Sequence, residues 1–160
     1  IRRIHYWETF QPEELIGKKI LLLIGEHRPF SVDEVSAIER FSRSHDVFIY
    51  GDHISNYHGD YALNANPLIA TITASLFQKE YRPDLVITIG GLTGDYAVFN
   101  AIRNTPNSVV EHWRVSTDGN VVDTYGKLTR VYECNIIDFF TRMSLDKESE
   151  HSAFLTNGHR

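Results

Sequence analysis

Leu85-Val86-Ile87-Thr88-Ile89-Gly90-Gly91-Leu92-Thr93-Gly94-Asp95 runs a short apolar segment into a glycine-rich turn, and Tyr96, Val98, Phe99 and Ile102 follow at helical spacing. Five apolar or β-branched residues closed by glycines read as a strand buried on both faces of a parallel sheet. The turn after such a strand is where open α/β sheets place ligands, because the backbone approaches closely and the next helix points its N–H groups at them. Gly90, Gly91, Thr93, Gly94, Asp95 and Tyr96 are therefore candidate ligand-facing residues. A plain strand-to-helix turn that needs glycine for positive φ accounts for the same letters. No Gly-Lys-Ser/Thr follows, so this is not a Walker A loop, and the full G-x-G-x-x-G fingerprint is absent. Asp95 in the first helical turn would compete with an incoming anion.

Outward from this stretch, the same alternation of strand and helix recurs. Lys19-Ile20-Leu21-Leu22-Leu23-Ile24-Gly25 is a second buried strand. Ser31 with Glu34 three residues later forms a capping box, and Val32, Val35, Ile38 and Phe41 continue a helix. Asp46–Tyr50 predicts a strand stopped by Gly51, and Asn66-Pro67 opens a helix with Leu68, Ile69, Ile72 and Leu76 on its buried stripe. Weaker strands are expected over 109–113 and 131–134, and Asn135 caps a last helix carrying Ile136, Ile137, Phe139, Phe140 and Met143. This order implies a three-layer α/β/α domain with a mainly parallel sheet of five to six strands. A docking lead-in linker over 1–17, a domain over 18–143 and a polar tail or outgoing linker over 144–160 are expected.

With 160 residues, 42% of them hydrophobic, the chain suits one domain with a real core. The net charge of −5 and the scattered lysines and arginines argue against nucleic acid as a partner. No apolar stretch approaches the roughly 20 residues that span a bilayer, and no secretory pattern opens the chain. A cytoplasmic location without a membrane partner is expected. The chain starts at Ile1, which suits a fragment of something longer.

Candidate chemistry is sparse. His53 and His58 stand five apart in a loop region, the other histidines lack ligand spacing, and the single Cys134 reads as a small core residue. Gly51-Asp52, Gly59-Asp60 and Gly94-Asp95 lack the further oxygen ligands a magnesium ion requires. No G-x-S-x-G elbow or triad is present, so no catalytic or metal-binding residue is assigned. His112-Trp113-Arg114, at the end of an expected strand, puts His112 and Arg114 at the ligand edge of the sheet. A capped core tryptophan between solvent-facing neighbours is the competing reading.

Pro83-Asp84-Leu85-Val86-Ile87-Thr88-Ile89-Gly90-Gly91, then His112-Trp113, Asp118-Gly119-Asn120-Val121-Val122-Asp123 and Leu128-Thr129, resembles the middle domain of the 2-succinyl-5-enolpyruvyl-6-hydroxy-3-cyclohexene-1-carboxylate synthases of menaquinone biosynthesis. The resemblance implies a Rossmann-like middle domain of a thiamine-diphosphate enzyme. It implies that the cofactor and Mg2+ are held mainly by other domains of the same polypeptide, with none expected on this chain, and that the full-length protein is a homo-oligomer. The isolated chain would then be inactive, an architectural domain lending part of an active-site wall. Members of the family carry a Ser-Lys pair near the position of Asp95-Tyr96. That departure implies either compensation by Arg28 or Arg114, or a different acceptor substrate. A free-standing nucleotide-binding module and a purely structural or oligomerising domain are the alternatives.

Overall fold

The computed structural model describes residues 1–51, 54–59, 62–63, 82–91 and 96–145. Seven strands form one sheet: β1 (Arg2–His5), β2 (Lys19–Ile24), β3 (Asp46–Gly51), β4 (Ala62–Leu63), β5 (Leu85–Ile89), β6 (Glu111–Val115) and β7 (Leu128–Glu133). Their order is β1-β7-β6-β5-β2-β3-β4, and every neighbouring pair is parallel. Helices α1 (Val32–Ser44), α2 (Tyr96–Arg103) and α3 (Ile136–Met143) are described, with a single 3-10 turn over Pro12–Leu15. The helix expected after Asn66 lies outside the described residues.

Strand alternation sorts the core into two layers. Ile20, Leu22, Ile24, Leu85, Ile87, Ile89 and Trp113 meet Ile38 and Phe41 of α1 and Phe139, Phe140 and Met143 of α3. Leu21, Leu23, Phe48, Tyr50 and Val86 face the other way, onto Val98 and Ile102 of α2. Helices thus cover both faces of the parallel sheet, the three-layer α/β architecture expected from the sequence. The Ser31 capping box is present: Ser31 Oγ accepts from the Glu34 amide at 3.1 Å, and Glu34 Oε1 accepts from the Ser31 amide at 2.9 Å.

Three expectations need correction. The sheet has seven strands rather than five to six, because the two-residue β4 and the edge strand β1 join it. β1 comes from the segment read as a linker: Arg2–His5 pairs with Arg130–Glu133 of β7, a pairing too far along the chain to leave a periodic signal. The segment after β1 docks through Phe10 and Leu15, both buried, with the Arg142 guanidinium 3.6 Å from the Phe10 ring centre and Arg130 forked onto Glu14 at 2.8 and 3.2 Å. The last two strands are displaced from 109–113 to Glu111–Val115, and from 131–134 to Leu128–Glu133. Val109 and Val110 have strand-like side chains but precede the ladder, where the Val109 amide closes a turn onto Pro106 O.

Read from β2, the chain adds β3 and β4 on one side and then returns to add β5, β6 and β7 on the other. That is the strand order of dinucleotide-binding sheets, and its reversal falls between β2 and β5. The carboxyl ends of these two strands, Ile24-Gly25 and Ile89-Gly90, therefore flank the crevice where such sheets take ligands.

Candidate functional site

Gly90 is held at the switch point by its backbone. Its φ is +77°, and a Cβ there would stand 2.7 Å from Glu26 O. The Gly25 amide donates to Ile89 O at 3.0 Å and the Gly91 amide to Glu26 O at 2.8 Å, so the segments leaving β2 and β5 are laced together. Glycine is required here by conformation and by close approach, whatever else the turn does. Gly90→Ala is expected to cost about 2 kcal/mol, from left-handed backbone strain and the clash with Glu26 O. At this chain length that lowers the thermal midpoint by roughly 4–8 °C. A calorimetric scan showing an unchanged midpoint would contradict it.

Between those segments lies a cavity of about 220 Å³ lined by Leu23, Gly25, Thr88, Gly90, Gly91, Arg114, Val122, Thr124 and Tyr125. Thr88 of β5 and Arg114 of β6 are register partners, so both project from the α2 face of the sheet. Arg114 is the sole charged residue among those lining residues. Its Nη1 donates to Asp118 Oδ1 at 3.1 Å and to Asn120 O at 2.8 Å.

The Asp118 turn is built to hold that guanidinium. Asp118 Oδ1 also accepts from the Asn120 amide at 2.7 Å and the Ser116 hydroxyl at 2.9 Å. These bonds, the Asn120 amide first, pull the carboxyl down to about 2. Gly119, at φ +64°, lets the turn pass Glu133, whose Cδ would lie 2.9 Å from a Cβ. Farther along, Asp123 Oδ1 accepts from the Lys127 and Leu128 amides at 2.9 and 3.0 Å, closing the loop before β7. Asp118-Gly119-Asn120-Val121-Val122-Asp123 is thus the loop that fixes Arg114 and lays Val122 over the cavity.

Behind Thr88 stands His112, 1% exposed, with Nε2 2.7 Å from Thr88 Oγ1 and its ring edge-on to Tyr125. Burial pushes its pKa down to about 4, outweighing the upward pull of Asp123, while Arg114 adds to the lowering. The imidazole is neutral at pH 7. Trp113 points to the opposite face and is fully buried, with Nε1 donating to Glu111 Oε2 at 2.7 Å and the Arg130 guanidinium 4.5 Å from its ring centre. Trp113 is the capped core residue of the competing reading, but its neighbours are not solvent-facing: His112 is buried and Arg114 largely so.

Two larger hollows are lined by described residues, and the charged groups named in them are committed to the fold. Beside Cys134 and Asn135, Arg142 is bonded to Asp138 and to Tyr6 O and Glu8 O. At the amino edge of β6 and β7, Lys127 Nζ is bonded to Asn107 and Arg103 O. Cys134 is buried, and burial raises its thiol to about 12, which makes it inert as a nucleophile. Among the described residues no group of three or more His, Cys, Asp and Glu side chains could hold a metal ion, and no helix is long and apolar enough to cross a membrane.

Comparison with known proteins returns one name repeatedly. The chain is 28% identical over 127 residues to the 2-succinyl-5-enolpyruvyl-6-hydroxy-3-cyclohexene-1-carboxylate synthase of Bacteroides thetaiotaomicron, covering 74% of this chain and 22% of that protein. It is 26% identical over 127 residues to the synthase of the same name from Flavobacterium johnsoniae, covering 79% of this chain and 22% of that protein. The counterpart in Phocaeicola vulgatus is 34% identical over 76 residues, 46% of this chain and 13% of that protein. The chain is related to these synthases. No family model matches it. The chain spans about a fifth of the length of the curated relatives it matches.

Of the candidate ligand-facing residues, Gly90, Gly91 and Arg114 meet in the switch-point cavity, and His112 lies one side chain behind it. Arg28 does not line it: Nη1 and Nη2 fork onto the two Glu34 oxygens, each at 2.8 Å, and the pairing, Arg28 first, holds the Glu34 carboxyl near 2. Thr93, Gly94 and Asp95 lie outside the described residues, and Tyr96 is described only as the start of α2. Sequence reasoning missed Thr88, Thr124 and Tyr125 as cavity residues. Thr88 was legible in principle, being the one polar side chain in an otherwise apolar buried strand.

Proposed function

We propose that this chain is the central domain of a longer thiamine-diphosphate enzyme that decarboxylates 2-oxoglutarate and adds the succinyl carbanion to isochorismate, a C–C bond-forming transferase of menaquinone biosynthesis. The similarity of about three quarters of the chain to synthases of that name carries the reading. The donor set speaks to the division of labour. A diphosphate-bound Mg2+ takes several oxygen ligands, and the described residues that line the switch-point cavity include one guanidinium and no carboxylate. The described residues do not fit that group, so no step of the reaction is assigned to them; other domains of the polypeptide, in an oligomer, would hold the cofactor and metal.

The chain's own part is packing and one wall of the site. Asp95-Tyr96 replaces a cation with an anion where the family has Ser-Lys, and Arg28 is neutralised by Glu34. Arg114 supplies the positive charge beside Gly90 and Gly91. If Arg114 does not offset Asp95, the acceptor differs from isochorismate. A bacterial strain deleted for its own synthase and given the complete reading frame that contains this chain should regain menaquinone, whereas the 160-residue chain alone should not restore it. Continued absence of menaquinone despite normal expression of the complete protein would remove the reading.

A further inference from the structure

We propose that the Tyr6-Trp7 turn at the end of β1, with the groove beside it, is the surface on which a neighbouring domain of the same longer polypeptide docks, setting apolar side chains against the two rings and a carboxylate against Arg3. The surface requires this chain to be one domain of a longer protein and is independent of the reaction that protein performs.

The turn is composed against its own geometry. His5-Tyr6-Trp7-Glu8 closes with the Glu8 amide donating to His5 O at 3.0 Å, and the Glu8 carboxylate accepts from the His5 amide at 2.7 Å. The central positions of such turns favour Gly, Pro, Asn, Asp and Ser, whereas here they carry Tyr6 at 61% and Trp7 at 67% exposed. Neither ring belongs to the two core layers, so the fold of the domain gains little from them. Both are nonetheless held in place. The His5 ring lies flat on the Trp7 indole, with 4.3 Å between centres and 2° between planes, and Tyr6 meets Trp7 edge-on at 5.0 Å. Arg142 of α3 donates to Tyr6 O and Glu8 O, which ties the backbone of the turn to the domain. Aromatic rings fixed before contact lose little entropy on docking, and exposed Trp and Tyr of this kind are the usual anchors of protein interfaces.

Beside the turn, Tyr6 walls a groove of about 750 Å³ whose other side is α3, where Ile137 is exposed. The charges of the groove are matched within the chain: His5 Nδ1 stands 2.9 Å from Glu133 Oε2, and Arg142 Nη1 stands 3.1 Å from Asp138 Oδ2. The groove therefore offers a ring and an aliphatic side chain rather than a free charge. A free charge comes from Arg3, which is exposed and has no partner among the described residues. It lies two residues before His5, so both project from the same face of β1, the last strand of the sheet. In a two-fold contact centred on this turn, the Arg2-Arg3 pair of each copy would approach that of the other, a like-charge arrangement that disfavours a second copy as occupant. A neighbouring domain meets no such conflict. The chain covers 22% of the relatives it matches over 127 residues, so more than three quarters of a protein of that length lies outside it to cover this face.

The test is hydroxyl-radical footprinting, read by mass spectrometry, of the complete protein that contains this chain and of the 160-residue chain alone. Trp113, fully buried, is the internal standard and should oxidise slowly in both. Tyr6 and Trp7 should oxidise freely in the 160-residue chain and about tenfold more slowly in the complete protein, as for anchors closed off from water. Equal rates at Tyr6 and Trp7 in the two proteins would overturn the surface. Protection in the 160-residue chain that grows with its concentration would put a second copy in place of the neighbouring domain, and would overturn the proposal as well. Tyr6→Ser combined with Trp7→Ser should move the thermal midpoint of the 160-residue chain by no more than about 3 °C, as surface substitutions do. In the complete protein the same pair should raise the rate of limited proteolysis about tenfold, by releasing the docked domain. Arg3→Glu should raise it less, about threefold, through the lost charge contact. An equal fall in midpoint in both proteins would mean that the rings serve the fold of this domain and would contradict the docking. Footprints are read without turnover, so this surface and the proposed reaction fail separately.

Discussion

Trp113→Ala should destabilise the domain by about 4 kcal/mol, the upper range for a large core side chain cut to a methyl. The indole is fully buried among the side chains under α1 and α3, tilted against Tyr132 at 5.4 Å between ring centres. Three further losses accompany the cavity. Glu111 loses the Nε1 donor, though it keeps Thr129; Arg130 loses the ring face beneath it; and Lys18, 6.0 Å from the ring centre, loses a weaker contact. For a chain of this length the midpoint should fall by roughly 8–16 °C. Trp113→Phe keeps most of the packing and should cost about 1–2 kcal/mol. Urea denaturation of the three proteins measures both values. A Trp113→Ala chain within about 1 kcal/mol of the parent, by that same comparison, would mean the ring is not the core element described.

The second large effect is an acid-side loss of stability traced to His112. Its folded pKa of about 4 lies below the ordinary value of 6.5, with burial the leading cause. Between those limits the unfolded chain binds a proton that the folded chain refuses, so stability falls as the pH falls. The contribution is complete above about pH 6.5 and lost by about pH 4, where the folded state protonates too. A depression of this size corresponds to about 3 kcal/mol. His45 adds to the loss with the same sign, because burial lowers it as well. Glu34 and Asp118, both held near 2, contribute mainly below this window. Comparing His112→Gln with the parent therefore isolates the one group. The stability difference between pH 7 and pH 4.5, measured by urea denaturation, should shrink in the variant by most of that loss, about 2 kcal/mol. Parallel pH profiles would contradict the burial assigned to His112.

The parts of the fold that were legible in the sequence are those whose signal is local. Lys19–Ile24 and Leu85–Ile89 are unbroken apolar runs, Ser31 and Glu34 cap α1 reciprocally, and Asn135 Oδ1 caps α3 by accepting from the Asp138 amide. β1 was not legible, because its four residues are strand only by virtue of β7, more than 120 positions away. The beginning of β6 was misread for the opposite reason. Val109-Val110 has the local propensity of a strand, but the ladder with β5 starts at Glu111, opposite Leu85.

The candidate site divides in the same way. Gly90-Gly91 marked the switch point because the chain needs glycine where β5 passes Glu26. Arg114 was visible as a charge at a strand end. What the sequence did not carry is the pairing of Thr88 with His112 across two strands, nor the use of Asp118 to hold Arg114, since both depend on register and loop closure. The resemblance supplied the words of that loop; the structure supplies their physical work.

The most direct measurement is an assay of the purified full-length protein that contains this chain, given thiamine diphosphate, Mg2+, 2-oxoglutarate and isochorismate. Release of CO2 with formation of the succinyl adduct of isochorismate is the expected result. No product from isochorismate with any 2-oxoacid tested, in a folded and cofactor-loaded protein, would contradict the proposed function.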